Sequence, residues 1–121
     1  MILRMWRARS TPGKADDYVR HATEKVFPSL RAIEGYGGTY LLRRAVDDAI
    51  EIVVLTLWES MESVRKFAGV ETDKAVVEPE ARQALTSFDL LVTHFEVIHS
   101  PVPTSRQSGG EMGIASSDQT R

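Results

Sequence analysis

The fold of this chain is decided by one stretch, IEIVVLTLW, at residues 50–58. Eight of these nine residues are Ile, Val, Leu, Thr or Trp and only Glu51 is charged, a composition that favours a strand. A strand that is apolar on both faces has to be covered on both faces. The helices of the same chain can cover one face, but 121 residues are too few for a further layer over the other. We therefore expect the second cover to be the sheet of an identical chain.

A hairpin is predicted directly before this strand. Residues 36–46 form another β-rich run, and the polar pair Asp47–Asp48 connects the two runs. A short polar connection of this kind is typical of a hairpin. The pair Gly37–Gly38 lies near the start of the run and predicts a β-bulge, because glycine inside a strand often marks such an irregularity.

The N-terminal part of the chain predicts a strand followed by a long helix. Residues 2–9 alternate with a period of two and carry Trp6, which favours a strand. The pair Thr11–Pro12 is typical of a helix start. Apolar residues then recur at spacings of three and four, which predicts an amphipathic helix of about five turns. Pro28 lies within it and is expected to kink it or end it locally, since proline removes one helical hydrogen bond. The recurring apolar positions are Val19, Ala22, Val26, Leu30 and Ile33.

The remaining elements complete a recognisable order. Ser60 is a suitable N-cap for a short helix that reaches Phe67, and residues 78–81, EPEA, open another helix. Residues 90–98 predict the last strand. Strand, long helix, strand, strand, two helices and strand is the split βαβ pattern of an α+β ferredoxin-like sandwich, βαββ(αα)β.

One domain is predicted at residues 1–99, followed by a tail at residues 100–121. The tail is rich in Pro, Ser, Gly, Gln and Thr and has few large apolar side chains. Such a segment buries too little surface to offset its ordering entropy, so it is predicted to be disordered.

Composition excludes several classes of function. The fifteen Lys and Arg residues are interspersed with seventeen Asp and Glu residues, unlike the clustered basic surface of a nucleic-acid-binding protein. The absence of cysteine rules out disulfides, thiolate metal ligands and a cysteine nucleophile. No apolar run approaches the roughly 20 residues of a membrane span, and Arg4 and Arg7 argue against a signal peptide. The expected location is the cytoplasm.

Candidate site residues concentrate around the end of the central strand. Trp58 marks the corner between strand and helix, and Phe67 and His94 follow it in the chain, which predicts a small apolar pocket. An imidazole on a central strand suits proton transfer, so His94 is the first candidate base. His21, beside the apolar stripe of the long helix, is the second. Each residue also has a structural explanation, the aromatic rings as core and the histidines as satisfied or solvated side chains.

Three further residues are candidates for substrate binding. Trp6 lies on the strand expected beside the one that ends in Trp58, so two indoles can flank one cavity. Tyr40 and Arg44 carry groups that hold a phenolate or a carboxylate, with interfacial or rim salt bridges as the alternative. The histidines are spaced unlike a metal cage, and no glycine-rich loop opens a helix. Neither a metal nor a nucleotide or flavin cofactor is therefore expected.

Several of these segments together resemble the antibiotic biosynthesis monooxygenase domain. The resemblance rests on Trp58-Glu59-Ser60, on Phe67-Ala68-Gly69, on residues 78–81 and on residues 92–97, VTHFEV, and it covers residues 2–98. It implies a ferredoxin-like monomer whose sheet packs face to face against a second copy, forming a dimeric α/β barrel. It also implies a cavity between sheet and helices. Some members of the family oxidise polyketide-type quinols with dioxygen and without metal or flavin, and others bind and degrade haem.

The same resemblance argues against haem degradation. The haem-degrading members rely on an asparagine in the first strand, and this chain contains no asparagine. They also use a histidine on the helix after the tryptophan corner, and residues 67–85 contain none.

Three functions are compatible with the sequence. The first is a cofactor-independent monooxygenase acting on a small aromatic or quinol-type substrate, which reduces dioxygen itself once it is bound, desolvated and stabilised as an anion. The second is a non-catalytic or stress-related homodimer that binds a small hydrophobic ligand. The third is a lyase, isomerase or cyclase-like helper of a polyketide pathway. A fold alone does not decide between them.

Overall fold

In the computed structural model, which describes residues 1–101, an antiparallel sheet carries helices on one of its faces. The strands are β1 (Ile2–Ser10), β2 (Tyr36–Val46), β3 (Ala49–Trp58), β4 (Ser87–Phe88) and β5 (Thr93–Glu96). The helices are α1 (Pro12–His21), α2 (Phe27–Leu30), α3 (Met61–Ala68) and α4 (Pro79–Gln83), and a π-helical segment, Ala22–Val26, joins α1 to α2. The predicted disordered tail, residues 100–121, lies outside the described residues except for its first two positions.

The strand order confirms the predicted α+β ferredoxin-like fold. The sheet runs β2-β3-β1-β4, and β5 also pairs with β1. Strand β1 is antiparallel to β3 along its whole length, from the pair Ile2 and Trp58 to the pair Ser10 and Ile50. Strands β5 and β4 pair with the two halves of the opposite edge of β1. Together they take the place of the single last strand.

That last strand is shorter than the sequence predicts. Residues 90–98 were expected to be extended, but β5 covers only Thr93–Glu96. The backbone of residues 90–92 bonds instead to residues 73–75: Ala75 N donates to Leu90 O at 2.9 Å, and Val92 N donates to Asp73 O at 2.8 Å. Competing backbone partners therefore draw this stretch away from β1.

The long helix passes through its proline. The N-cap side chain of Thr11 accepts from Lys14 N, as predicted for a helix start. The π-helical segment lies just before Pro28, and Phe27 N bonds to Ala22 O, five residues earlier. Because proline has no N–H and its ring crowds the carbonyl four residues before it, a wider turn lets the helix continue. The helix ends only at Leu30.

The predicted hairpin and bulge are both present. Val46 pairs with Ala49, and Asp47 in the turn has φ of 55°, a left-handed conformation that Asp tolerates better than most residues. The register between β2 and β3 shifts between Tyr36 and Gly38, which confirms the bulge.

The two faces of the sheet differ in their cover. On the helix side, β3 buries Ile52, Val54, Thr56 and Trp58. These side chains pack in a core with residues of the helices, namely Tyr18, Ala22, Ala81 and Ala84. The opposite face of β3 carries Glu51, Val53, Leu55 and Leu57, which are only half-buried.

This second face is apolar over a wide area, and we call it the open face. Tyr40 and Leu42 of β2 lie opposite Leu55 and Val53 and are 52% and 46% exposed. Phe95 of β5 lies opposite Leu3 at the other edge and is 49% exposed. No part of residues 1–101 covers the open face. In this same region of the chain, no helix is both long and apolar enough to cross a membrane.

Candidate functional site

A cavity of about 120 Å³ lies between the helix side of the sheet and the helices. Most of its wall is aromatic or aliphatic, from Trp6, Tyr18, Val26, Phe27, Leu30, Val54, Phe67, Val76, Val77, Ala81 and Val92. Its polar lining residues are Arg4, Ser29, Thr56 and Glu78. The volume is smaller than that of drug-sized ligand sites, about 300 Å³ and above. It is close to an apolar cavity of about 150 Å³ that admits benzene. The space therefore suits a single ring.

Arg4 places a charged group in this apolar wall. The residue is 4% exposed. Its Nη1 donates to Thr72 O at 2.5 Å and contacts His94 Nε2 at 3.0 Å, while its Nη2 donates to Lys74 O at 2.7 Å. The guanidinium carbon also lies 5.5 Å from the centre of the Phe67 ring. Burial lowers the pKa of Arg4, and the Asp73 carboxylate acts in the opposite direction.

The contact with Arg4 determines which form of His94 is present. A guanidinium only donates, so His94 Nε2 must be the unprotonated acceptor and the ring proton lies on Nδ1. That nitrogen is 3.5 Å from Asp73 Oδ1. Burial and the Arg4 charge lower the pKa of His94 and outweigh the Asp73 carboxylate. Because the Nε2 lone pair is occupied, His94 meets the cavity through Arg4 and not as a free base.

Tyr18 contributes a second buried polar group. Its ring packs against Trp6 at a centroid distance of 6.2 Å, and the residue is 5% exposed. Among residues 1–101, its hydroxyl has no hydrogen-bond partner. Burial raises the pKa of Tyr18 well above its ordinary value, so the group is a phenol that has a proton to donate. A buried hydroxyl without a partner is rare, and here it belongs to a cavity wall.

The two tryptophans have different positions. Trp6 lines the cavity, as the sequence allowed, and its Nε1 donates to Asp89 O at 2.8 Å. Trp58 is fully buried behind the wall. Its Nε1 donates to Thr56 Oγ1 at 2.8 Å, and its ring stacks on Phe67 at 5.5 Å. Since Thr56 and Phe67 both line the cavity, Trp58 supports the wall from outside.

His21 lies at the rim of the cavity. Its Nε2 is 3.1 Å from Glu78 Oε1, and Glu78 is one of the lining residues. Both histidines chosen from the sequence thus touch one wall residue each, and neither lines the cavity itself.

Tyr40 and Arg44 do not reach this cavity. Their register places both on the open face of the sheet, where Arg44 forms a salt bridge with Glu51. A strand alternates its side chains between the faces, so only the odd-numbered residues of this part of β2 look toward the helices. From one chain, these two residues cannot share a ligand with Trp6 and Phe67.

Sequence reasoning overlooked Arg4 and Tyr18, although each carried a signal. Arg4 alternates in phase with Trp6 and Ala8, so a charge shares the apolar face of β1. Tyr18 lies three residues after Ala15 and four before Ala22, which puts it at the centre of the buried stripe of α1.

Comparison with known proteins supports the family resemblance noted in the sequence. The family model described as "Antibiotic biosynthesis monooxygenase" matches residues 1–79. No curated protein matches the chain by sequence.

Three solved structures illustrate the similarity in fold. A candidate antibiotic biosynthesis monooxygenase from Bacillus cereus is 17% identical with a TM-score of 0.58, and the alignment covers 84% of this chain and 97% of that one. The haem degrader MhuD of Mycobacterium tuberculosis, with two haems bound in its active site, is 20% identical with a TM-score of 0.54, covering 83% and 98%. The ActVA-Orf6 monooxygenase of Streptomyces coelicolor, in complex with nanaomycin D, is 19% identical with a TM-score of 0.55, covering 84% and 91%. At these identities the likeness establishes the fold alone.

Proposed function

This chain belongs to the antibiotic biosynthesis monooxygenase family, and on that premise we propose that it oxidises a small aromatic, quinol-type substrate with dioxygen and without a cofactor. The observation that carries the proposal is a largely apolar cavity whose wall contains a buried guanidinium and an unpartnered phenol. Aromatic and apolar walls hold a ring and exclude water, and the two polar groups orient its oxygen atoms.

The proposed reaction balances without an external reductant. A hydroquinone takes one oxygen atom of O₂ at a ring carbon and becomes a hydroxyquinone, while the other oxygen atom leaves as water. The substrate supplies all four electrons. The protein has to bind the quinol, remove a proton and hold the resulting anion away from water.

Glu78 is the proposed proton acceptor. The residue lines the cavity, and its carboxylate contacts His21 at the rim, which orients it. In this proposal His21 and Glu78 together serve as the base that was expected of His21 alone. His94 holds the Arg4 side chain in place.

Haem does not fit this site. The cavity of about 120 Å³ is far smaller than a porphyrin. Among the described lining residues, only Tyr18 belongs to a residue type that serves as an axial haem ligand. Burial raises the pKa of Tyr18 and opposes the tyrosinate form that would bind iron. No step of the proposed reaction passes through haem.

A second copy of the chain is the proposed cover of the open face. The face combines half-buried aliphatic side chains of β3 with exposed Tyr40, Leu42 and Phe95. A contiguous apolar patch of this kind is unusual on a monomer and typical of an interface. Packing two such sheets face to face produces the homodimeric barrel, and places Tyr40 and Arg44 at its seam.

Oxygen consumption tests the proposed function directly. We expect the protein to accelerate oxygen uptake with 1,4-hydroquinones, and ¹⁸O₂ to deliver one labelled atom to the hydroxyquinone. Glu78→Gln should reduce the rate about 100-fold, in line with a lost general base, whereas Glu80→Gln on the same helix should not.

The alternative function is non-catalytic binding of a small hydrophobic ligand, favoured by the apolar majority of the wall. Saturable binding of hydroquinones with no protein-dependent oxygen uptake would favour it and contradict the oxidation.

A further inference from the structure

We propose that the ligand of this cavity is a single-ring aromatic carboxylate, whose carboxylate binds to the Arg4 guanidinium and the Tyr18 hydroxyl. The inference rests on the proposed function only in naming the substrate, which is then a quinol of the dihydroxybenzoate class. The binding site itself is argued from the geometry of the wall.

The charge of Arg4 lacks a direct counter-ion. Its three hydrogen bonds go to the carbonyls of Thr72 and Lys74 and to the neutral imidazole of His94. The acidic group that acts on it, Asp73, is exposed and contacts His94, and its charge reaches Arg4 only through space. Burying a cation without a paired anion costs free energy, and an anion bound in the cavity offsets that cost.

Arg4 also retains unused donors. A guanidinium has five N–H groups, and the contacts with Thr72, Lys74 and His94 engage three of them. The Nε–H and one N–H of Nη2 have no partner within residues 1–101. A carboxylate accepts two N–H groups of arginine at once, so the number of free donors matches this class of ligand.

The Tyr18 hydroxyl provides a third donor in the same cavity. The residue is almost completely buried, its hydroxyl is unpartnered within the described chain, and its pKa is raised, so it is protonated at any physiological pH. A neutral phenol or quinol needs no such set of donors and leaves the Arg4 charge uncompensated. A benzoate group is ionised at neutral pH, as carboxylic acids generally are.

The size and shape of the cavity limit the rest of the ligand. About 120 Å³ accommodates one ring, and the aromatic residues Trp6, Phe27 and Phe67 in the wall provide apolar surface for it to pack on. Glu78 carries the opposite charge to Arg4, but its carboxylate is turned to His21 at the rim. The ring is therefore expected to point its carboxylate toward Arg4 and its other substituents toward the rim.

Binding of benzoate to the full-length protein tests this inference without any turnover. We expect calorimetry to show benzoate binding about tenfold or more tighter than benzamide, its neutral isostere, since hydrogen bonds to charged groups are the stronger ones. Arg4→Gln should abolish the difference, and Tyr18→Phe should weaken benzoate severalfold. Arg44→Gln, on the other face of the sheet, should leave both affinities unchanged. Equal binding of benzamide and benzoate by the wild-type protein, or binding of neither, overturns the proposal even if the Arg4 variant does not fold.

Oxygen uptake then separates this inference from the proposed oxidation. If both hold, 2,5-dihydroxybenzoate is oxidised with a lower KM than 1,4-hydroquinone, and benzoate inhibits competitively. Arg4-dependent binding of benzoate without oxidation of dihydroxybenzoate supports the ligand class and contradicts the oxidation. Oxidation of hydroquinone that benzoate does not inhibit contradicts the ligand class alone.

Discussion

His94 of β5 lies directly opposite Arg4 of β1, and its Nε2 is 3.0 Å from Arg4 Nη1. The pair links the exposed carboxylate of Asp73 to the cavity wall through a neutral imidazole. In the proposed site, His94 is a positioning residue that keeps the guanidinium directed at the ligand.

We predict that His94→Gln preserves this arrangement and His94→Leu does not. A glutamine amide offers an oxygen to Arg4 and an N–H to Asp73, whereas leucine leaves the buried guanidinium without an acceptor. His94→Leu should raise the Kd for the cavity ligand about tenfold, and His94→Gln should stay close to wild type. Calorimetry at pH 7.5 measures both, and an equal loss in the two variants would contradict the positioning role.

The stability of the protein should depend on pH through His94. The folded protein has a lower His94 pKa than the ordinary value of 6.5. As the pH falls below 6.5, the unfolded chain gains a proton that the folded chain resists, so the free energy of unfolding decreases. Above that pH the contribution is complete and constant. Urea unfolding between pH 5 and 8 should show this loss in the wild type and a smaller one in His94→Gln. His99→Gln, which alters an exposed histidine, is the matched control and should follow the wild type.

Trp58 should matter for stability more than for ligand contact. Truncation to alanine removes a fully buried indole and should lower the free energy of unfolding by about 3–5 kcal/mol. Thr56→Val keeps the volume but leaves the indole N–H without its acceptor, which should cost about 1–3 kcal/mol. Urea titrations measure both variants. A Trp58→Ala protein as stable as the wild type would contradict this role.

Gly35 is expected to resist substitution. Its φ is 92°, and a Cβ at this position would lie 1.9 Å from Ser63 Oγ. Gly35→Ala should therefore cost more than the roughly 1–2 kcal/mol of a left-handed backbone alone. Gly38 has φ of 128° but open space around it. The stability lost in Gly38→Ala therefore measures the backbone strain without a steric clash. The midpoint of thermal unfolding should be lower for Gly35→Ala than for Gly38→Ala. Adding Ser63→Gly to the Gly35→Ala variant should partly restore its stability. The reverse order would contradict this account.

The open face predicts the assembly of the protein. Leu55→Glu places a charge in the middle of the apolar face and should shift the protein from dimer to monomer in analytical ultracentrifugation, because burying an unpaired charge is costly. Val70→Glu, at a loop position that is 89% exposed, should leave the dimer intact. A wild-type protein that is monomeric at micromolar concentration would contradict the homodimer.

Much of the fold could be predicted from local patterns. Alternation along residues 2–9 and 50–58, the Thr11 cap and the Gly37–Gly38 bulge all depend on neighbours a few residues away, and each is present in the structure. The last strand was predicted too long because its competitor, residues 73–75, is distant in sequence.

The cavity could be predicted only in part. Trp6 and Phe67 line it, while Trp58 supports it and the two histidines contact the lining residues Arg4 and Glu78. Tyr40 and Arg44 lie on the open face, which could not be predicted because strand periodicity shows which residues share a face but not which face meets the helices.

The sequence by itself determined the order of elements, the doubly apolar central strand and the chemical character of each side chain, since these follow from local composition and spacing. Only the tertiary structure decided that the polar groups of the cavity wall include a buried arginine and, among the described residues, no histidine. Arg4 and His94 are 90 residues apart in the chain, and strand register alone brings them within hydrogen-bonding distance and thereby fixes their protonation.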